Sequence, residues 1–169
     1  MVRILGLDPG LKATGWGLIA AEGSRLVHLG SGVFTTAADT PLAERLAALH
    51  RALAALLAEA RPDEAAVEET YVNRNGAATL KLGYARALAL LAPALAGLPV
   101  AEYPAKVVKR AVVGTGAAEK AQIAVMVRHL LPGAAPIRSD AADALAVAIC
   151  HAHHRRSPAW ARPELQGAR

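Results

Sequence analysis

The chain has 169 residues, 54% of them hydrophobic, with a formal net charge of +5 and a single cysteine. That length and apolar content suit one domain with its own core and exclude intrinsic disorder. One cysteine, Cys150, excludes an internal disulfide framework, and the positive balance favours polyanionic partners such as nucleic acid or anionic lipid.

The first predicted element is a buried strand, VRILGLD, apolar almost throughout and ending in Asp8 before a Pro-Gly turn. GWGLIAAEG and RLVHLGSGVFTT follow at hairpin spacing, so three antiparallel strands open the fold. Thr40 before Pro41 reads as an N-cap followed by the first helical position. Leu42, Leu46, Leu49, Leu53 and Leu56 then form one helical stripe that Arg61-Pro62 stops. EAAVEET reads as a fourth strand, parallel to the first. GAATLKLGYARALALLAPALAG is a helix apolar on most sides, and LPVAEY is a fifth strand. PAKVVKRAVVGTG is a basic helix or turn. AEKAQIAVMVRHLLPG is an amphipathic helix with Ile123, Met126, Val127 and Leu130 on one face. RSDAADALAVAICHAH is the last helix. From Arg155 onward Pro, Gly and charge occur without periodicity, so we expect one domain over 1–154 and a flexible tail over 155–169.

The order β-β-β-α-β-α-β-α-α implies an α/β fold, a mixed five-stranded sheet (three antiparallel strands, then parallel ones) flanked by helices. MVRILGLDPG meets an acid and a turn too early for a signal peptide. The longest uncharged run, Ala87 to Ala101, is too short for a bilayer span and contains Pro93, Gly97 and Pro99. No Cys/His spacing of the structural-zinc kind occurs. The expectation is a cytoplasmic protein.

Ligands of open α/β sheets gather at the carboxyl ends of the strands. Asp8 ends the first strand there, and Glu68 and Glu69 end the fourth. Successive strand side chains face opposite ways, so only one glutamate can share the direction of Asp8, and spacing does not say which. Asp140 and Asp143 lie about 60° apart around the last helix and can aim at one point. Each acid alone is an ordinary helix cap or solvated end. Four carboxylates converging without positive charge repel one another. Oxygen ligands without thiolate favour Mg²⁺ or Mn²⁺. Two such ions can serve phosphodiester hydrolysis. His151 lies about 12 Å along the helix from Asp143, too far for the same ion. With His153 and His154 it is expected to interact with the helix C-terminus.

ILGLDPGLKATGWGLI, VEETYVNRN…LKLGYARA, VKRAVVGTGAAEKAQI and DAADALAVAI resemble, in order and spacing, the RuvC family of bacterial Holliday junction resolvases, over about residues 2 to 154. The resemblance implies an RNase H-like fold and metal-dependent resolution of four-way DNA junctions by paired symmetric nicks, in recombination and repair. It also implies four catalytic, metal-binding carboxylates: Asp8, Glu68, Asp140 and Asp143. Glu68 is chosen over Glu69 because Val67 precedes it and Tyr71 follows at the family's aromatic position. The cofactor implied is Mg, with Mn as substitute, and two ions per site. By the same resemblance Lys120 joins the catalytic set, Lys109 and Tyr71 contact DNA, and Tyr71 stacks on bases. Arg74 and Arg110 are candidate phosphate contacts. Tyr71, Tyr84 and Ala87 depart from the usual family residues.

A four-way junction has approximate two-fold symmetry, and one chain without repeats offers one carboxylate cluster, so a homodimer is expected. The apolar helix over about 76 to 95 is the candidate interface. RuvA and RuvB are the partners the resemblance implies. The competing readings are a YqgF-type nuclease acting on RNA or another branched substrate, and a catalytically silent junction-binding protein. An actin-like kinase needs two such lobes, which 169 residues cannot supply.

Overall fold

The computed structural model describes residues 1–69, 76–134 and 137–155. Within them, five strands form one sheet: β1 (Val2–Asp8), β2 (Ala13–Glu22), β3 (Arg25–Thr35), β4 (Glu64–Glu69) and β5 (Val100–Pro104). The spatial order is β3-β2-β1-β4-β5. The first three strands pair antiparallel, whereas β1 with β4 and β4 with β5 pair parallel. The helices are α1 (Leu42–Ala60), α2 (Gly76–Leu95), α3 (Ala105–Val113), α4 (Lys120–Leu130) and α5 (Ser139–His154).

Strand alternation sorts the core into two layers. Ile4, Ile19, Ala66, Ala101 and Tyr103 face α3, α4 and α5. Leu5, Leu7, Leu18 and Val67 face α1 and α2. The result is an α/β/α sandwich with the sheet buried on both faces through its centre, as the apolar run in β1 requires. Ile123 and Val127 of α4 are buried, with Met126 and Leu130 packed beside them, so the stripe read from sequence is the buried one. Among the described residues no helix is long and apolar enough to cross a membrane.

Three local expectations change. Pro41, not Thr40, occupies the cap position of α1, and no side-chain cap hydrogen bond forms there. Proline supplies a suitable entry angle without a capping oxygen. His151 does not serve the helix C-terminus: it is fully buried, with Nδ1 2.8 Å from the Tyr103 hydroxyl and Nε2 2.9 Å from Glu64 Oε2. His154 does behave as expected, its Nδ1 donating to the Cys150 carbonyl at 2.8 Å. Arg155 is tied down, its Nε and Nη2 donating to Glu64 at 2.9 and 2.5 Å, because a buried carboxylate needs a cation more than the chain end needs freedom. The rest of the expected tail, 156–169, lies outside the described residues.

Candidate active site

β1 carries Asp8 to its C-terminal end, and the parallel strand β4 carries Glu68 to the same end of the sheet. The pairing runs as far as Leu7 opposite Val67, so Asp8 and Glu68 come next along the ladder. Ala66 packs on the α5 side and Val67 on the α1/α2 side. By alternation Glu68 shares the α5 face with Ala66, and Glu69 shares the opposite face with Val67. Asp8 likewise shares the face of Ile4 and Gly6.

The N-terminus of α5 reaches this point because the sheet beneath it lacks side chains. Gly15 pairs with Asp8, and Gly17 with Gly6, across the β1–β2 ladder. A Cβ on Gly15 would lie 2.0 Å from the carbonyl oxygen of Asp140, and one on Gly6 would lie 2.1 Å from that of Ala144. Only glycine allows helix and strand backbones so close. The close approach sets Asp140 and Asp143 beside Asp8.

The electrostatics show the convergence directly. Burial pushes the Asp8 carboxyl up to about 7, and the charges of Glu68, Asp143 and Asp140 push the same way, against Lys120. Burial and then Asp143 also raise Glu68, opposed by Lys120 and Lys109. Asp8 thus feels the other three acids, and Glu68 feels Asp143. Lys120 Nζ donates to Asp143 Oδ2 at 2.8 Å, from a side chain 72% exposed to one 12% exposed. That hydrogen bond raises the pKa of Lys120, so the lysine is a firm cation at the edge of the cluster. Its place is set by a reciprocal cap at the start of α4: the Glu119 side chain accepts from the Gln122 N–H, and Gln122 Oε1 accepts from the Glu119 N–H at 2.8 Å.

Lys109 is half-buried on α3, and its charge acts on Glu68. Arg110 follows it, exposed, and is not among the charges that act on Asp8 or Glu68. Tyr71 and Arg74 lie outside the described residues.

Among the described residues no group of three or more His, Cys, Asp or Glu side chains is already arranged to hold a metal ion. Lys120 engages one Asp143 oxygen, and like-charged carboxylates without a cation stand apart. The donor set nonetheless fits a hard divalent cation. It is all oxygen, and the Asp8 carboxyl, held near 7 largely by burial and like charge, is the kind of group a nearby cation relieves.

Sequence reasoning missed the residues that brace the turn after Asp8. Thr14, fully buried, donates from Oγ1 to the Gly10 carbonyl at 2.7 Å and accepts from the Gly10 N–H at 3.3 Å. Thr36 Oγ1 donates to the Leu11 carbonyl. Arg45 donates to that carbonyl at 3.3 Å and to Thr36 Oγ1 at 2.9 Å. An arginine on the buried stripe of α1 was the available signal, since an arginine among core positions needs acceptors.

A mixed sheet of this order with acids gathered at the ends of β1, β4 and α5 defines a nuclease of RNase H-like fold. The family described as crossover junction endodeoxyribonuclease RuvC matches residues 4–151. RuvC of Acidiphilium cryptum is 70% identical over 152 residues, covering 90% of this chain and 91% of that protein. RuvC of Gluconacetobacter diazotrophicus is 66% identical over 157 residues, covering 93% and 94%. Among solved structures, T. thermophilus RuvC in complex with Holliday junction substrate superposes with a TM-score of 0.85 at 35% identity, covering 92% of this chain and 96% of that one. The chain belongs to the RuvC family of crossover junction endodeoxyribonucleases.

Proposed function

We propose that this chain resolves four-way DNA junctions by metal-dependent hydrolysis of one phosphodiester in each of two opposed strands, in recombination and repair. The observation that carries the reading is the burial of Asp8 at one end of the sheet among Glu68, Asp143 and Asp140, whose charges all raise its carboxyl. These four residues would hold two Mg²⁺, or Mn²⁺ in substitution. When bound, such ions activate the attacking water and stabilise the leaving oxygen.

The chain's own part is to orient and to balance charge. Lys120, already aimed into the cluster, is placed to offset negative charge developing on the scissile phosphate. Lys109 on α3, whose charge reaches Glu68, offers a phosphate contact, and Arg110, the next residue along, is a second candidate on the family resemblance. The roles of Tyr71 in base stacking and Arg74 in phosphate contact rest on the family resemblance. So do RuvA and RuvB as partners, whereas the single domain over 1–154, the tail beyond it and a cytoplasmic setting rest on composition and periodicity.

Paired nicks require two clusters, and α2 supports a homodimer. Leu80, Leu91 and Leu95 are 58%, 48% and 71% exposed, and Ala87 is exposed between them at helical spacing. The opposite face, with Ala85, Ala89 and Ala92, is buried against the sheet and α1.

A cleavage assay on a synthetic mobile junction, with metal titrated and product ends mapped, tests the reading. Wild type should make symmetric nicks with Mg²⁺ and none in EDTA. Asp143→Asn should bind the junction and leave it uncut. Cleavage of structured RNA in place of the junction would point to the YqgF-type reading, and binding without Mg²⁺-dependent cutting to a silent protein.

A further inference from the structure

The end of α5 remote from the carboxylates carries a buried polar chain that the proposed reaction does not use. Glu64, at the first position of β4, and His151, in the last turn of α5, are joined through Nε2 and Oε2 at 2.9 Å. Tyr103 on β5 and Arg155 beyond α5 complete it at 2.8 Å and 2.5 Å. Hydrogen bonds from Arg155 and His151 hold the Glu64 carboxyl low, and burial lowers His151. An ionised Glu64 only accepts, so neutral His151 carries its proton on Nε2, and Nδ1 accepts from the Tyr103 hydroxyl. Donors and acceptors thus match along the chain of residues.

The elements joined here, β4 and α5, are the two that carry Glu68 and Asp143 at their other ends. From Glu64 to Glu68 a strand advances about 13 Å. From Asp143 to His151 a helix advances about 12 Å. The two spans match, and α5 runs back along β4, so a bond at one end aligns the acids at the other. The start of α5 is seated sterically, the Asp140 backbone on Gly15, and Lys120 holds Asp143, while the cap residue Arg138 makes no side-chain cap hydrogen bond. Further along, the helix meets the glycines of the sheet through Ala144, Leu145 and Ala148, contacts with no directional term. The Glu64–His151 pair adds a directional contact between α5 and β4 themselves.

We infer that Glu64 and His151 are positioning residues for the carboxylate site: their buried hydrogen bond fixes where α5 lies along β4, and with it the separation of Glu68 from Asp143. This rests on the four acids being the metal site.

The test uses the full chain and reads Mn²⁺ uptake without DNA, by loss of the free-ion EPR signal, alongside junction cleavage well below each variant's Tm. His151→Leu and Glu64→Met, each of which removes the hydrogen bond, should weaken Mn²⁺ binding and lower kcat by roughly 10- to 100-fold, the scale of small misplacements at a reacting centre. The KM for junction should stay unchanged, and His151→Gln, which can still donate to Glu64, should recover most of the loss. If His151→Leu does not fold, Glu64→Met decides. Mn²⁺ uptake that Asp143→Asn leaves intact would overturn the metal site and this inference together. A site lost in Asp143→Asn but unchanged in folded His151→Leu or Glu64→Met would overturn the positioning role alone.

Discussion

The carbonyl oxygen of Asp140 stands where a side chain on Gly15 would be, 2.0 Å from the Cβ position, and Gly15 is itself the ladder partner of Asp8. Backbone contact between a strand and a helix N-terminus is therefore what gathers the acids. Gly15→Ala forces the start of α5 away from β2. We expect about 1–3 kcal/mol of destabilisation, the usual cost of overpacking, and a loss of cutting that persists at temperatures where the variant is folded. Thermal unfolding and the junction assay check this. Full activity in a folded Gly15→Ala would show that the close approach does not set the site.

Asp8 should give the metal-free protein a signature in pH. Its folded-state pKa, about 7, exceeds the ordinary 3.8, so protonation favours the folded form. The contribution is complete below about pH 4 and is lost as pH rises through 7. At pH 8 without metal, Asp8→Asn should be more stable than wild type by on the order of 2–4 kcal/mol, with the gap closing toward pH 4. Mg²⁺ should stabilise wild type and not the variant. Denaturant melts at two pH values, with and without Mg²⁺, read this directly, and coincident curves at pH 8 would contradict it.

The two lysines should separate into different kinetic classes. Lys120→Ala removes the cation that touches Asp143 and should lower kcat by roughly 10²-fold, with junction affinity little changed. Lys109→Ala should instead weaken binding and flatten its salt dependence by about one phosphate contact. Binding isotherms at several salt concentrations distinguish them. An unchanged slope for Lys109→Ala would place that lysine away from the DNA backbone.

The exposed leucines of α2 predict the assembly. Leu91→Glu with Leu95→Glu should shift a dimer toward monomer in sedimentation velocity and abolish paired nicking, while single nicks persist. A wild-type monomer at working concentration would remove α2 from consideration as an interface.

The strand order, the buried stripe of α4 and the gathering ends of β1 and β4 are visible in the chain as written. They follow from periods of 2 and 3.6 residues and from turn residues, which are local properties. By contrast α3, read as a helix or turn and left out of the expected order, makes three helices after β5 and not two. The close seating of α5 on Gly6, Gly15 and Gly17 was not read from the sequence, because which small residues face one another depends on the fold. The capping box of Glu119 and Gln122 was likewise missed, and the fold shows that it sets the start of the helix whose Lys120 reaches Asp143, 23 residues further on.

Amphipathic pattern, punctuation and charge thus determined the layers of this protein and the chain positions of its acids. The tertiary structure alone decided which residues stand across from one another. It put Glu68 rather than Glu69 on the α5 side, set Arg45 behind the turn after Asp8, and joined Glu64 to His151. The physical reason is distance along the chain. Glu64 and His151 are 87 residues apart, and a hydrogen bond between groups that remote leaves no period in either segment.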